Sequence, residues 1–312
     1  MQLSCYTPKV VTDNTIISTY YSDTFDFDCI ITCPHAPFGE KFLDQISDIK
    51  HLIKLSKHDF QRYLSIEYDF GTHELGHAIA RYCWDKLDIK VLIVEPTLPR
   101  AIIDPGRFYP HCVRNVIDYQ KYPEIKAILV DTHERYIYSL KTIISKAKQL
   151  GAISIDLHSM APYSPKESLK NPKGILLETP DNLLDYIESF ELSHLNGEIR
   201  QTEIFTGDLL NNIYANKDVI DALTTNFNQA NIPISYDKPY LLETHMVGYY
   251  LMLELGTVCI DVRKDLLSSN EITDDDFKLS NLSVDNTKVQ ILASCFSHAI
   301  DSALKVKETI VL

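Results

Sequence analysis

The sequence predicts an α/β fold: a three-layer α/β/α arrangement around a mostly parallel mixed sheet. Short apolar runs fit for buried strands recur at 29–33, 90–95 and 151–158. Segments with apolar residues at helical spacing separate them. Pro and Gly cluster after the first two strands, where loops are needed. Strand, helix, strand, helix, strand is the order that buries a parallel sheet beneath crossover helices.

Taken in order, residues 29–33 form a buried strand that ends in Pro34-His35-Ala36-Pro37-Phe38-Gly39, a loop by composition. A helical stretch follows over 42–55. Residues 72–87 form a second helix with Leu75, Ile79, Tyr82 and Cys83 on one face and Thr72 as N-cap. The strand at 90–95 leads into a long irregular loop marked by Pro96, Pro99, Pro105, Gly106 and Pro110. From 124 to 149, Ile125, Ile128, Leu129, Tyr136, Leu140, Ile143, Ile144 and Ala147 keep helical spacing. The strand at 151–158 closes on Asp156-Leu157-His158-Ser159. Residues 161–231 read as an elaborated insertion. The run at 249–255 reads as a late strand closed by Gly256, and 288–304 as a helix on the sheet. Asp274-Asp275-Asp276 is a solvated turn. No composition break divides the chain, so a single domain over 1–312 is expected.

The chain is long enough to bury a full core. Its net charge of −13 argues against nucleic acid and against anionic membranes as partners. No apolar run is long enough to span a bilayer. The start, Met1 to Pro8, lacks the basic and apolar regions of a secretory signal. Seven cysteines at irregular spacing, with no Cys-x-x-Cys pair, suit reduced thiols. A cytoplasmic protein is expected.

His158 stands at the carboxyl end of a strand, where open α/β sheets keep their ligands. Asp156 points to the same side, because strand side chains alternate, and can orient the imidazole. His35 also follows a strand, so the two histidines can converge on one sheet edge. A zinc site needs a carboxylate besides, and Glu40 or Asp69 is in reach. Arg100 and Arg107 bracket a loop at the same edge, and an Arg fork binds a carboxylate or steadies an oxyanion; pairing with Asp104 is the plainer role. Glu254, amid Leu251, Met252, Leu253 and Leu255, reads as a desolvated general base. A rival is His73-Glu74-Leu75-Gly76-His77, which on a helix places two histidines on one face with Glu74 as base, as in zincin metallopeptidases. Ala80 and Cys83 replace the Gly and His of the metzincin extension, and Glu124 or Glu134 would have to supply a third ligand.

From about residue 28 to 261 the chain resembles the N-formylglutamate amidohydrolase family. The resemblance rests on Pro34-His35-Ala36, Asp69-Phe70-Gly71, the loop from Pro99 to Arg107, Asp156-Leu157-His158-Ser159 and Leu253-Glu254-Leu255. It implies a fold like that of the zinc carboxypeptidases, which belong to the phosphorylase/hydrolase-like group. It also implies one Zn2+ held by His35, His158 and Asp69, with Glu40 the other carboxylate choice. Arg100 and Arg107 would bind substrate, Arg107 would also steady the reaction, and Glu254 would be the base. Pro99 and Gly106 stand where the family carries Ser and Asn, which bears on the substrate more than on the metal. The expected activity is hydrolysis of the amide bond of an N-acyl amino acid, or of a small peptide, with a carboxylate-bearing small molecule as partner. The alternatives are a zincin-type peptidase and a catalytically silent binding homologue.

Overall fold

Central strands that are apolar on both faces need helices on both sides, and this chain supplies them. The computed structural model describes residues 7–36, 50–166, 179, 181–208, 210, 212–238, 240–272 and 277–311. Ten strands are found among these residues: β1 (Lys9–Thr12), β2 (Ile16–Tyr21), β3 (Cys29–Thr32), β4 (Val91–Pro96), β5 (Ile153–Met160), β6 (Tyr163–Ser164), β7 (Glu198–Ile199), β8 (Thr202–Phe205), β9 (Ile234–Tyr236) and β10 (Val258–Arg263). Eight make one sheet in the order β1-β2-β4-β3-β5-β10-β8-β9, and β6 and β7 form a separate ribbon. The centre, β4-β3-β5-β10, is parallel. Antiparallel β2 and β8 flank it, so the sheet is mixed.

The helices are α1 (Lys57–Glu67), α2 (Thr72–Tyr82), α3 (Pro123–Leu150), α4 (Leu183–Glu191), α5 (Ser193–Asn196), α6 (Lys217–Gln229), α7 (Val247–Leu255) and α8 (Asn286–Val311). Side-chain alternation assigns each sheet face its layer. Cys29, Ile31, Val91, Ile93, Ile155 and Leu157 pack against Leu75 and Ile79 of α2, Leu223 and Phe227 of α6, and Phe296 and Ile300 of α8. On the other face, Ile30, Leu92 and Val94 meet Tyr136, Leu140 and Ile144 of α3 and Val247 and Leu251 of α7. A third apolar cluster joins α1, α4 and the loop after β4 through Tyr63, Ile103, Val116, Tyr186 and Ile187. Among the described residues, no helix is long and apolar enough to cross a membrane. Cys29, Cys33, Cys83, Cys112, Cys259 and Cys295 are buried and free.

The run at 249–255 is helix α7, not a late strand. A short continuous apolar run suits a buried helix as well as a buried strand. Gly256, in the left-handed region at φ 66°, ends the helix as a glycine C-cap does. The late strand is the next segment, β10. Within the region read as an insertion, residues 202–205 and 217–229 supply β8 and α6 to the main sheet and its covering layer. Glu40, most of the 42–55 stretch and the Asp274–Asp276 turn lie outside the described residues.

Phe296 is wholly buried, edge-on to Phe227 with centroids 5.4 Å apart. Phe296→Ala should cost about 3–5 kcal/mol, read as a lower urea midpoint at unchanged slope. A loss under about 1 kcal/mol would contradict this packing.

Candidate metal centre and active site

Strands β3 and β5 are parallel neighbours, with Thr32 beside Asp156. The chain just past β3 therefore meets the carboxyl end of β5, and His35 meets His158. Asp69 arrives from the turn between α1 and α2. Its amide donates to the His35 carbonyl at 3.1 Å, and the Thr72 hydroxyl donates to the Asp69 carbonyl at 2.7 Å. Thr72, expected as an N-cap, thus fixes the Asp69 turn, and Gly71 takes the cap position.

The three heads converge. His158 Nδ1 lies 2.9 Å and His35 Nδ1 3.2 Å from Asp69 Oδ2, and the two ring nitrogens are 3.2 Å apart. The far nitrogens are also engaged. His35 Nε2 is 2.8 Å from Asp104 Oδ1, and His158 Nε2 is 3.0 Å from Asp156 Oδ2. Burial opposes ionisation of these two carboxyls, but their neighbours prevail. His35, Arg100 and Arg107 hold Asp104 well below the usual carboxylate range. His158 and Thr32 lower Asp156. An ionised carboxylate only accepts, so each Nε2 carries the hydrogen and donates it. In the neutral rings each Nδ1 is then a lone pair. Two nitrogen lone pairs and one carboxylate oxygen face one point, an arrangement that calls for a cation. Donors on a tetrahedral zinc ion, with bonds of about 2.0–2.1 Å, stand roughly 3.3 Å apart, close to the spacing found. His35, Asp69 and His158 fit a metal ion, with Asp104 and Asp156 as the partners that orient the imidazoles. Without a cation, a proton takes its place: burial disfavours charge on His158, yet Asp156 and Asp69 raise its pKa well above 6.5.

Gly106 has a local reason. A Cβ there would stand 2.6 Å from His35 Nε2 and 3.2 Å from Asp104 Oδ1. Its own amide donates to Asp104 Oδ1 at 2.9 Å. The loop backbone therefore closes over the His35–Asp104 bond where a side chain would break it.

Arg100 and Arg107 both reach this cavity, whose volume is about 180 Å³. Arg100 is surrounded by carboxylates: Glu67 at 3.2 Å, and Asp69 and Asp104 at 3.6 Å each. Arg107 lies 3.3 Å from Asp104. Glu254 is not at the site. It sits at the solvent side of α7, 37% exposed, and pairs with Lys148 at 2.9 Å. The desolvation that suggested a base is missing, because the apolar neighbours are spread around a helix.

Two cavity residues escape a reading of the sequence. Asp261 on β10 is the register partner of His158, on the side that faces the cavity, and accepts from the Tyr240 hydroxyl at 3.1 Å. Its signal is an acid inside the apolar run Val-Cys-Ile-Asp-Val, masked by the equally apolar run just before it. Arg200 also lines the cavity, with Nε and Nη2 buried and lacking a hydrogen-bond partner among the described residues. Its carbonyl is held by Arg263 Nη1 at 2.9 Å. Nothing in the irregular segment around Arg200 marks it.

His73 and His77 do share a face of α2, but their carboxylate neighbour is Glu95 of β4; Glu124 and Glu134 both lie on α3.

No family model and no curated protein matches this chain. Solved structures do share its three-layer α/β fold. The gene product Atu2144 from Agrobacterium tumefaciens is 15% identical, with a TM-score of 0.55 over 95% of this chain and 97% of its own. An N-formylglutamate amidohydrolase from Ralstonia eutropha JMP134 is 12% identical, with a TM-score of 0.56 over 94% of this chain and 99% of its own. At these identities the likeness is one of fold.

Gly106→Ala should push His35 off Asp104 and weaken zinc binding about 10- to 100-fold in calorimetric titration. Unchanged affinity would contradict the orienting role of Asp104.

Proposed function

We propose that this protein is a metal-dependent hydrolase that cleaves the amide bond of small N-acyl amino acids, N-formylglutamate being the type. The observation that carries the reading is the convergence of His35 Nδ1, His158 Nδ1 and Asp69 Oδ2 beside a carboxylate, Asp261, in one small cavity. A like fold in an enzyme named N-formylglutamate amidohydrolase supports it. One Zn2+ on His35, Asp69 and His158 would polarise the amide carbonyl and acidify water.

The chain's own residues then have distinct tasks. Asp261 takes a proton from the attacking water as the carbon–oxygen bond forms. It returns that proton to the amide nitrogen as the carbon–nitrogen bond breaks. Tyr240 fixes the orientation of Asp261. Arg107, with Asp104 as its carboxylate contact, steadies the developing oxyanion. Arg200, with two buried nitrogens that lack a hydrogen-bond partner among the described residues, clamps the free carboxylate of the substrate. Arg100, surrounded by Glu67, Asp69 and Asp104, is a positioning residue that holds the acidic frame.

With zinc-loaded protein and a panel of N-formyl and N-acetyl amino acids, Asp261→Asn should lower kcat by roughly 10²- to 10⁴-fold. Arg200→Ala should raise KM for substrates with a free carboxylate and leave their carboxamide analogues little changed. Full activity in Asp261→Asn, or no hydrolysis by the wild type across the panel, would sink the proposal.

A further inference from the structure

The His73-Glu74-Leu75-Gly76-His77 motif plays no part in the reaction above, yet its surroundings are not those of an ordinary surface helix. His73 and His77 stand one turn apart on α2, their ring centroids 4.4 Å from each other. Below them lies Glu95, near the end of β4 and 6% exposed. Each of its oxygens faces one ring: Oε1 is 2.7 Å from His73 Nδ1, and Oε2 is 3.6 Å from His77 Nε2. The first distance is a hydrogen bond. The second is too long for one.

His77 Nε2 is buried and without a hydrogen-bond partner among the described residues, although the other ring nitrogen is engaged by the Tyr21 hydroxyl at 2.9 Å. A simple His–Glu pair would explain His73 and leave His77 unexplained. Two donors sharing one tetrahedral ion with bonds near 2.1 Å stand about 3.4 Å apart, which does explain the 3.6 Å gap. The Tyr21 hydroxyl can accept from His77 Nδ1, which leaves Nε2 as the lone pair a metal needs. One nearly buried carboxylate between two imidazoles also leaves a negative charge for an incoming cation to balance. His73 is half-exposed, so solvent can reach the site and complete the coordination.

We infer that His73, His77 and Glu95 form a second metal site, separate from the His35–Asp69–His158 centre, that binds one divalent transition ion such as Zn2+ or Co2+. Two imidazoles and a carboxylate suit such ions rather than Mg2+ or Ca2+. The third ligand comes from a strand, and Glu74 is not part of the donor set. The site therefore ties α2 to the end of β4, and it does so directly after the turn that presents Asp69. Its role is to lock that helix in place.

The test is a metal count. Metal-free wild type, His73→Ala, His77→Ala and Glu95→Gln would be loaded with Zn2+, freed of unbound ion and assayed by mass spectrometry. Each variant should hold one ion fewer per chain than the wild type. Circular dichroism of the metal-free proteins checks the fold, and His73→Ala, at a half-exposed position, keeps the test valid if a buried variant fails to fold. As a second readout, Zn2+ should raise the Tm of His158→Ala, and this rise should vanish in His158→Ala/His73→Ala. Equal metal content in wild type and all three variants would overturn the inference. So would a Zn2+-induced Tm rise that persists in the double variant.

Discussion

Two hydrogen bonds organise this molecule: His35 Nε2 to Asp104 and His158 Nε2 to Asp156. Each fixes a tautomer, and together they aim two Nδ1 lone pairs at Asp69. Each bond is strongest, and fixes Nε2 as its donor, when the carboxylate stays ionised in the interior, and burying a charge is costly without partners. The long loop after β4 meets that cost. It brings Arg100, Arg107 and Arg114 around Asp104, and Arg100 and Arg114 also reach Glu67. Burial pushes the Glu67 carboxyl up, but Arg114 and Arg100 outweigh it and the net shift is downward. Tyr186 of α4 donates to Glu67 as well, so the outer apolar cluster is anchored to the acidic frame of the site. Lys264, just past β10, adds its own anchor by donating to the Ser65 and Ile66 carbonyls at the end of α1. Burial lowers its pKa to about 8.

The α/β architecture was legible because the central strands are apolar on both faces and Pro or Gly follows them. The β1–β2 hairpin was not. β1 is four exposed residues with no apolar face, and its pairing to β2 is a long-range choice that local pattern does not encode. Helix α7 was not legible as a helix, since its nine apolar-rich residues carry no clear period. Asp261 lies on β10, the strand that follows, and Glu254 on the helix before it.

At the site, strand-end logic paired His35 with His158, because parallel strands deliver their carboxyl ends to one edge; Asp69, in the turn between α1 and α2, stood out from Glu40 only through the family resemblance. Asp104 was visible only as a partner for arginine. Its orienting bond to His35 depends on a loop conformation that Gly106 permits. Arg200 lies at the end of the β6–β7 ribbon, where no periodicity predicts which side chain turns inward. The His73–His77 pair was plain from its spacing, but Glu95 became its neighbour only once β4 was placed beneath α2.

We propose that His35, Asp69 and His158 hold a metal through the Nδ1 atoms of both histidines. A crystal structure of zinc-loaded protein, with anomalous data across the zinc edge, tests it directly. A peak should stand bounded by His35 Nδ1, Asp69 Oδ2 and His158 Nδ1, with both Nε2 atoms still bonded to Asp104 and Asp156. Zinc absent from that point while the three side chains stay in place would contradict it.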